Sequence, residues 1–307
     1  MTERAPVALP PKQSAWLRAG ELGSVLGIRI VLGAATLLGR APMRGLLAII
    51  VLYYALAKRA PRQASREYLT RMGQPAGFWA VYGHLLRFAQ CAADRIFLIA
   101  GKTSTFEIHT HGAEHLVELQ RQKRGAILLS AHLGSFEALH AQAGRDAVMV
   151  NVVGYFRNAQ RINRVLERLG STVHARLLEP RPGIEFALQL RDCLERGELV
   201  GVLGDRSIDG KTVEVDFLGS PARFPTGAFA LAAAMRCPVL ITFALHTPPN
   251  RYDLYCEPLV EQVVLPRKER EAALRAHVQA YAERLEHYCR MRPDNWFNFY
   301  DFWSKSG

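Results

Sequence analysis

Cysteine is scarce. The five cysteines, Cys91, Cys193, Cys237, Cys256 and Cys289, are scattered through 307 residues with no Cys-x2-Cys pair. An odd number in apolar or helical contexts argues for reduced, buried thiols in a cytosol-facing protein, against a disulfide framework or a zinc site. Acidic residues are also in short supply: 28 Asp and Glu against 39 Lys and Arg, a net charge of +11. That balance favours an anionic partner, whether nucleic acid, an anionic membrane or an acidic carrier protein. The aromatics are not interleaved with the basic residues, and no helix-turn-helix or RNA-recognition pattern occurs, which argues against nucleic acid. No charged segment leads into an apolar run and an Ala-x-Ala site, so a cleaved signal peptide is not expected. There is no internal repeat, heptad run or low-complexity segment.

No unbroken apolar run reaches the roughly 20 residues that span a bilayer. Two shorter ones stand near the N-terminus. Val25 to Leu38 is apolar except for Arg29, and Leu46 to Ala57 is apolar throughout. Arg40, Pro42 and Arg44 separate them. The pattern predicts two helices, broken near Pro42, that lie against or dip into one leaflet. A buried helical hairpin and a single tilted span starting near Val25 are the alternatives. Residues 1–72 hold eleven Lys and Arg against three Glu, a balance of +8 that suits an anionic cytoplasmic surface.

The composition, 49% hydrophobic over 307 residues, provides for a full core in one or two domains. A polar helix is expected over Pro61 to Met72 and a longer one over Gly77 to Gly101, where Phe78, Val81, Leu85, Phe88, Ala92 and Ile96 recur at helical spacing. Asp94-Arg95 within it reads as structural, with a part in shaping a site as the alternative. Thr105 to His111 alternates like a strand and places His109 and His111 on one face, with His115 beyond Gly112. No acidic or thiol ligand stands nearby, and no metal is expected there.

The most informative stretch is Gly125 to Leu139. Ala126 to Leu129 is a short apolar run fit for a buried strand of an α/β sheet. Ser130-Ala131-His132 follows, then Gly134 and Ser135, then a helix-compatible segment from Phe136 to Gly144. His132 thus stands at a strand's carboxyl end, the edge where open α/β sheets bind ligands. Glu137 can fold back across the turn to the imidazole, fix its tautomer and leave the other nitrogen basic. A buried His–Glu pair that serves stability has the same spacing. Gly-Ser-Phe-Glu is not the Gly-x-Ser-x-Gly nucleophile elbow, which argues against a serine hydrolase.

Further on, Ala147 to Val153 reads as a buried strand. Arg157 and Arg161 follow it on one helix face and suit a phosphate or carboxylate. Gly183 to Arg196 reads as an amphipathic helix capped by Gly197. Leu199 to Leu203 is a short buried strand ending in Gly204-Asp205-Arg206, again at the ligand edge. Asp205 has several roles open to it: pairing with Arg157 or Arg206, positioning an acceptor, or a plain internal salt bridge. Val213 to Phe217 reads as a strand and Leu218 to Gly227 as a loop carrying Arg223, opening a helix whose N-terminus can receive an anion. Pro238 to His246 and Tyr252 to Pro258 read as a pair closing the sheet. Pro266 to Met291 reads as a long helix with a solvated outer face. The aromatic tail, Trp296 to Trp303, reads as packed on the core, with partial membrane contact.

Ala131-His132-Leu133-Gly134-Ser135-Phe136-Glu137 resembles the His-x4-Asp/Glu block of the lysophospholipid acyltransferase superfamily, in the style of the bacterial lipid A late acyltransferases. Phe156-Arg157-Asn158, heading a helix that ends at Leu169-Gly170, resembles its second block. Gly204-Asp205-Arg206 with Phe217 to Gly227 resembles its third. Asp294 to Trp303 resembles the terminal signature of predicted acyltransferases, some of them associated with aryl-polyene pigment pathways. Four blocks in order cover about residues 125 to 303.

The resemblance implies a single mixed, mostly parallel sheet flanked by helices. A helical membrane-associating segment, 1–100, would precede an α/β acyltransferase domain, 101–307. It implies transfer of an acyl group from acyl carrier protein or CoA to a lipid hydroxyl at the cytoplasmic face of a bacterial inner membrane, without metal or cofactor. His132 would be the base and Glu137 its orienting partner, with Arg157, Asp205, Arg206 and Arg223 binding substrate. An Arg, or loop amides near Gly134 or Gly219, would hold the oxyanion. Two departures leave the acceptor open. Arg223 to Gly227 only approximates the Phe-Pro-Glu-Gly-Thr-Arg block of the glycerolipid branch, and Asp205-Arg206 stands where the lipid A branch tends to have Asp-Gln. A thioesterase and a non-catalytic basic binding protein are the other readings.

Overall fold

A computed structural model describes residues 39–99, 101–146, 148–154, 175–180, 184–207 and 210–303. The expected helix over Val25 to Leu38 and the positions of Arg157 and Arg161 lie outside the described residues.

Seven strands form one sheet: β1 (Glu107–His111), β2 (Ala126–Ser130), β3 (Val150–Val153), β4 (Ala175–Leu178), β5 (Leu199–Leu203), β8 (Val239–Thr247) and β9 (Arg251–Val260). Their order is β1-β9-β8-β2-β5-β3-β4. Every neighbouring pair is parallel except β8 with β9, so the sheet is mixed and mostly parallel. All five residues of β2 are buried, as its unbroken apolar run requires with both faces covered. The β8–β9 pair does not close the sheet. It lies between β2 and β1, with β1 as the edge beyond it. The expected loop after Phe217 is instead a second strand. β6 (Thr212–Phe217) and β7 (Ser220–Pro225) form an antiparallel hairpin. Its two-residue turn has φ 53° at Leu218 and 71° at Gly219, the positive pair that a tight hairpin demands.

Eight helices are described: α1 (Arg40–Ala57), α2 (Arg59–Arg71), α3 (Phe78–Ile99), α4 (Ala113–Arg121), α5 (Phe136–Arg145), α6 (Ile184–Glu195), α7 (Gly227–Met235) and α8 (Arg270–Met291). The apolar N-terminal run is only half free. Met43, Leu47, Val51 and Ala55 recur every fourth residue and are buried, while Ile49, Tyr53 and Leu56 on the opposite stripe are 69%, 72% and 61% exposed. The buried stripe belongs to the same continuous core as Trp296 and the sheet. Asp94, fully buried, ties α1 down by accepting Nε and Nη2 of Arg40 at 2.8 and 2.7 Å and Nη2 of Arg44 at 3.2 Å.

Charge alternation in α8 does not make it a solvated outer helix. Val278, Tyr281, Ala282, Leu285, Tyr288 and Cys289 fall on one face and are buried, because apolar and aromatic residues recur at helical spacing between the charges. The aromatic tail is packed: Trp296, Phe297, Phe299 and Phe302 are buried. All five cysteines are free and buried.

Candidate active site

β2 and β5 are neighbours in register, with Ser130 opposite Leu203. Two residues beyond each, the chain reaches His132 and Asp205. Position along two adjacent parallel strands therefore sets these two side chains against each other at the sheet's carboxyl edge. His132 Nδ1 lies 2.8 Å from Asp205 Oδ1, and the His132 amide donates to Asp205 Oδ2 at 3.0 Å. A carboxylate only accepts, so Nδ1 carries the proton and Nε2 carries the basic lone pair. Nε2 takes no hydrogen bond among the described residues, and the imidazole is 27% exposed.

Asp205 is 1% exposed and well supplied with donors. Besides His132, its Oδ2 accepts Trp296 Nε1 at 3.2 Å and Asn298 Nδ2 at 2.8 Å. Burial opposes its ionisation, but the His132 ring, the Arg206 guanidinium and the His132 amide prevail and hold the carboxyl well below its usual range. For His132 the balance runs the other way. Burial and the nearby Arg206 lower its pKa despite the raising effects of Asp205 and Glu137, so the imidazole is neutral at pH 7.

The sequence points to Glu137 as the partner of His132, and here the structure differs. Glu137 Oε1 pairs with Arg95 Nε at 3.1 Å, and its Oε2 lies 3.5 Å from Ser135 Oγ. The physical reason is local. Ser135 caps α5 by accepting the Ala138 amide at 3.2 Å, which starts the helix at Phe136 and puts Glu137 on its first turn, facing α3. Glu137 stays close enough to raise the imidazole's pKa, without holding its ring. Arg95 thus pairs with the Glu137 carboxylate, while Asp94 beside it binds Arg40 and Arg44.

Arg206 turns into the scaffold: Nε donates to Asn298 Oδ1 at 2.7 Å and Nη2 to the Phe297 carbonyl at 3.0 Å, with the guanidinium 5.6 Å from the Tyr300 ring centre. Arg223 is exposed on the β6–β7 hairpin, in register with Glu214. Gly134 is not free to serve an oxyanion through its amide, which donates to the Asn295 carbonyl at 2.8 Å. Its φ is +71°, and a Cβ there would lie 1.8 Å from the Ala244 oxygen. Gly219 sits in the hairpin turn. On β1, His111 bonds Asp253 at 3.3 Å and stacks on Tyr255, and no group of metal-binding side chains occurs among the described residues.

Trp296 and Asn298 both donate to Asp205, and motif reading does not single them out as site residues. The signal was present, because both lie in the terminal Asp-Asn-Trp-Phe-Asn block. That block straps the His132 turn in place: the Phe297 amide donates to the His132 carbonyl at 2.7 Å, and Leu133 and Trp296 form a bridge. Buried His84 bonds the strap. One ring nitrogen meets Ser65 Oγ and the other the Trp296 carbonyl, both at 2.9 Å.

No curated protein matches the chain. The family model described as "Bacterial lipid A biosynthesis acyltransferase" matches residues 91–305, a span that starts within α3 and contains the whole sheet, the His132–Asp205 pair and the strap. The chain therefore belongs to the bacterial lipid A biosynthesis acyltransferase family and is an acyltransferase.

Proposed function

We propose that this acyltransferase moves a fatty acyl group from an acyl thioester, acyl carrier protein or CoA, to a hydroxyl of a lipid or glycolipid. His132 Nε2 removes the proton as the hydroxyl oxygen attacks the thioester carbonyl carbon. The C–S bond breaks, the thiolate leaves, and the imidazolium returns the proton to it. Asp205 holds the ring in the needed tautomer and stabilises the imidazolium. No covalent acyl-enzyme, metal or cofactor enters this scheme. Burial first and Arg206 second lower the imidazole's pKa, and Glu137, paired with Arg95, adds negative potential that moderates the effect. Arg157 and Arg223 are the cations offered to the anionic parts of donor or acceptor. One observation carries the reading: an imidazole bonded through Nδ1 to a buried carboxylate, with no partner on Nε2 among the described residues.

The site works at the cytoplasmic face of a bacterial inner membrane. Residues 1–100 form the membrane-associating part and 101–307 the transferase part. α1 is long and apolar enough to cross a bilayer, but one stripe of it is packed on the core. Ile49, Tyr53 and Leu56, with Trp79 of α3 at 71% exposure and Lys58 and Arg59 beside them, suit a leaflet bearing anionic lipid.

The test incubates membranes with labelled acyl thioester and identifies the new ester by mass spectrometry. His132→Ala should fold normally and lose transfer. Normal turnover in that variant ends the mechanism, and free thiol without an acylated lipid selects hydrolysis.

A further inference from the structure

Asn298 is 3% exposed and makes two bonds of opposite sense. Nδ2 donates to Asp205 Oδ2 at 2.8 Å and Oδ1 accepts from Arg206 Nε at 2.7 Å. A carboxylate only accepts and a guanidinium only donates, so these neighbours allow one orientation of the amide. Asp205 and Arg206 are adjacent in sequence and opposite in charge. A close pair between them would draw the carboxylate away from the imidazole. The amide stands between them and satisfies both.

We propose that Asn298 is a positioning residue for acyl transfer, acting through Asp205 on His132. With Trp296 Nε1 and the His132 amide it fills Oδ2 with three donors, which leaves Oδ1 to the ring. Its carbonyl oxygen, with that of Phe297, holds the guanidinium in place. The inference rests on His132 being the base. Among the described residues, the titratable and charged groups acting on the imidazole are Arg206, Asp205 and, from α5, Glu137. Tyr281 and Cys289 of α8 and Tyr300 of the strap face Asp205, and burial pushes the pKa of all three up, so they are neutral near pH 7.

The experiment uses the full chain in membranes with an acyl-CoA donor, and measures kcat, KM, the pH profile of kcat/KM and thermal stability. Asn298→Leu should lower kcat by roughly 10- to 100-fold with KM changed less than about 3-fold. Asn298→Asp carries the sharper signature. Protonated, the new carboxyl donates to Asp205 as the amide does and still accepts from Arg206. Ionised, it repels Asp205. That variant should work best at the acid end and lose activity on an alkaline limb lying below any in the wild type. An Asn298→Asp profile parallel to the wild type overturns the proposal. So does wild-type kcat in Asn298→Leu while His132→Ala is dead. Full activity in His132→Ala instead refutes the base reading itself.

Discussion

Replacing Asp205 with Asn separates the geometry found here from the one the motif suggests. The substitution keeps the shape and removes the charge facing the imidazole. As the base takes its proton, the ring becomes a cation beside that carboxylate. Two unit charges about 4 Å apart at an effective dielectric near 20 attract by roughly 4 kcal/mol. Since about 1.4 kcal/mol is a factor of ten in rate, Asp205→Asn should lower kcat on the order of 10³-fold. The new amide can also donate to Nδ1, which would favour the wrong tautomer. Glu137→Gln should cost about 10-fold or less, because Glu137 pairs with Arg95 and reaches the imidazole only through space. The assay is single-turnover transfer of labelled acyl thioester to membrane lipid, with thermal melts to confirm folding. If Glu137→Gln matched His132→Ala while Asp205→Asn stayed near wild type, the assignment of the orienting carboxylate would be refuted.

Burial depresses the pKa of His84 and His140 to about 4 and of His246 to about 3. A folded pKa below the unfolded value near 6.5 means full stability above pH 6.5, lost as pH falls toward 4, with roughly 3 kcal/mol from His84 alone. Urea titrations at pH 7.5, 6.5, 5.5 and 4.5 should show the midpoint falling only below 6.5. Because the His132 pKa is lowered too, the acid limb of kcat/KM should lie below pH 6.5; a limb above 7 contradicts this. Gly134→Ala forces a Cβ into the Ala244 carbonyl at positive φ and should cost about 3 kcal/mol or more together with activity, read by melting and turnover. Asp94→Ala leaves Arg40 and Arg44 without their shared carboxylate and should destabilise by about 3–5 kcal/mol, with reduced hydrogen-exchange protection in α1.

The strands were legible where both faces are buried. Ala126 to Leu129 and Leu199 to Leu203 read as strands because their apolar runs are unbroken, and β2 and β5 form there. His132 and Asp205 were legible as residues at the ligand edge for the same reason. β7 is hidden in the sequence because Pro221, Arg223 and Pro225 disguise a strand that, among the described residues, pairs with β6 alone. The buried face of α8 is hard to read from sequence because its charges mask an apolar stripe.

Local pattern determined which residues stand at strand ends and which helix face is apolar, since those depend on neighbours within one turn or one strand. It could not determine which carboxylate meets His132. Glu137 is five residues away and Asp205 seventy-three, and proximity in the chain favoured the former. Only the sheet, by laying β5 beside β2 in register and drawing the terminal strap across both, decided for the latter.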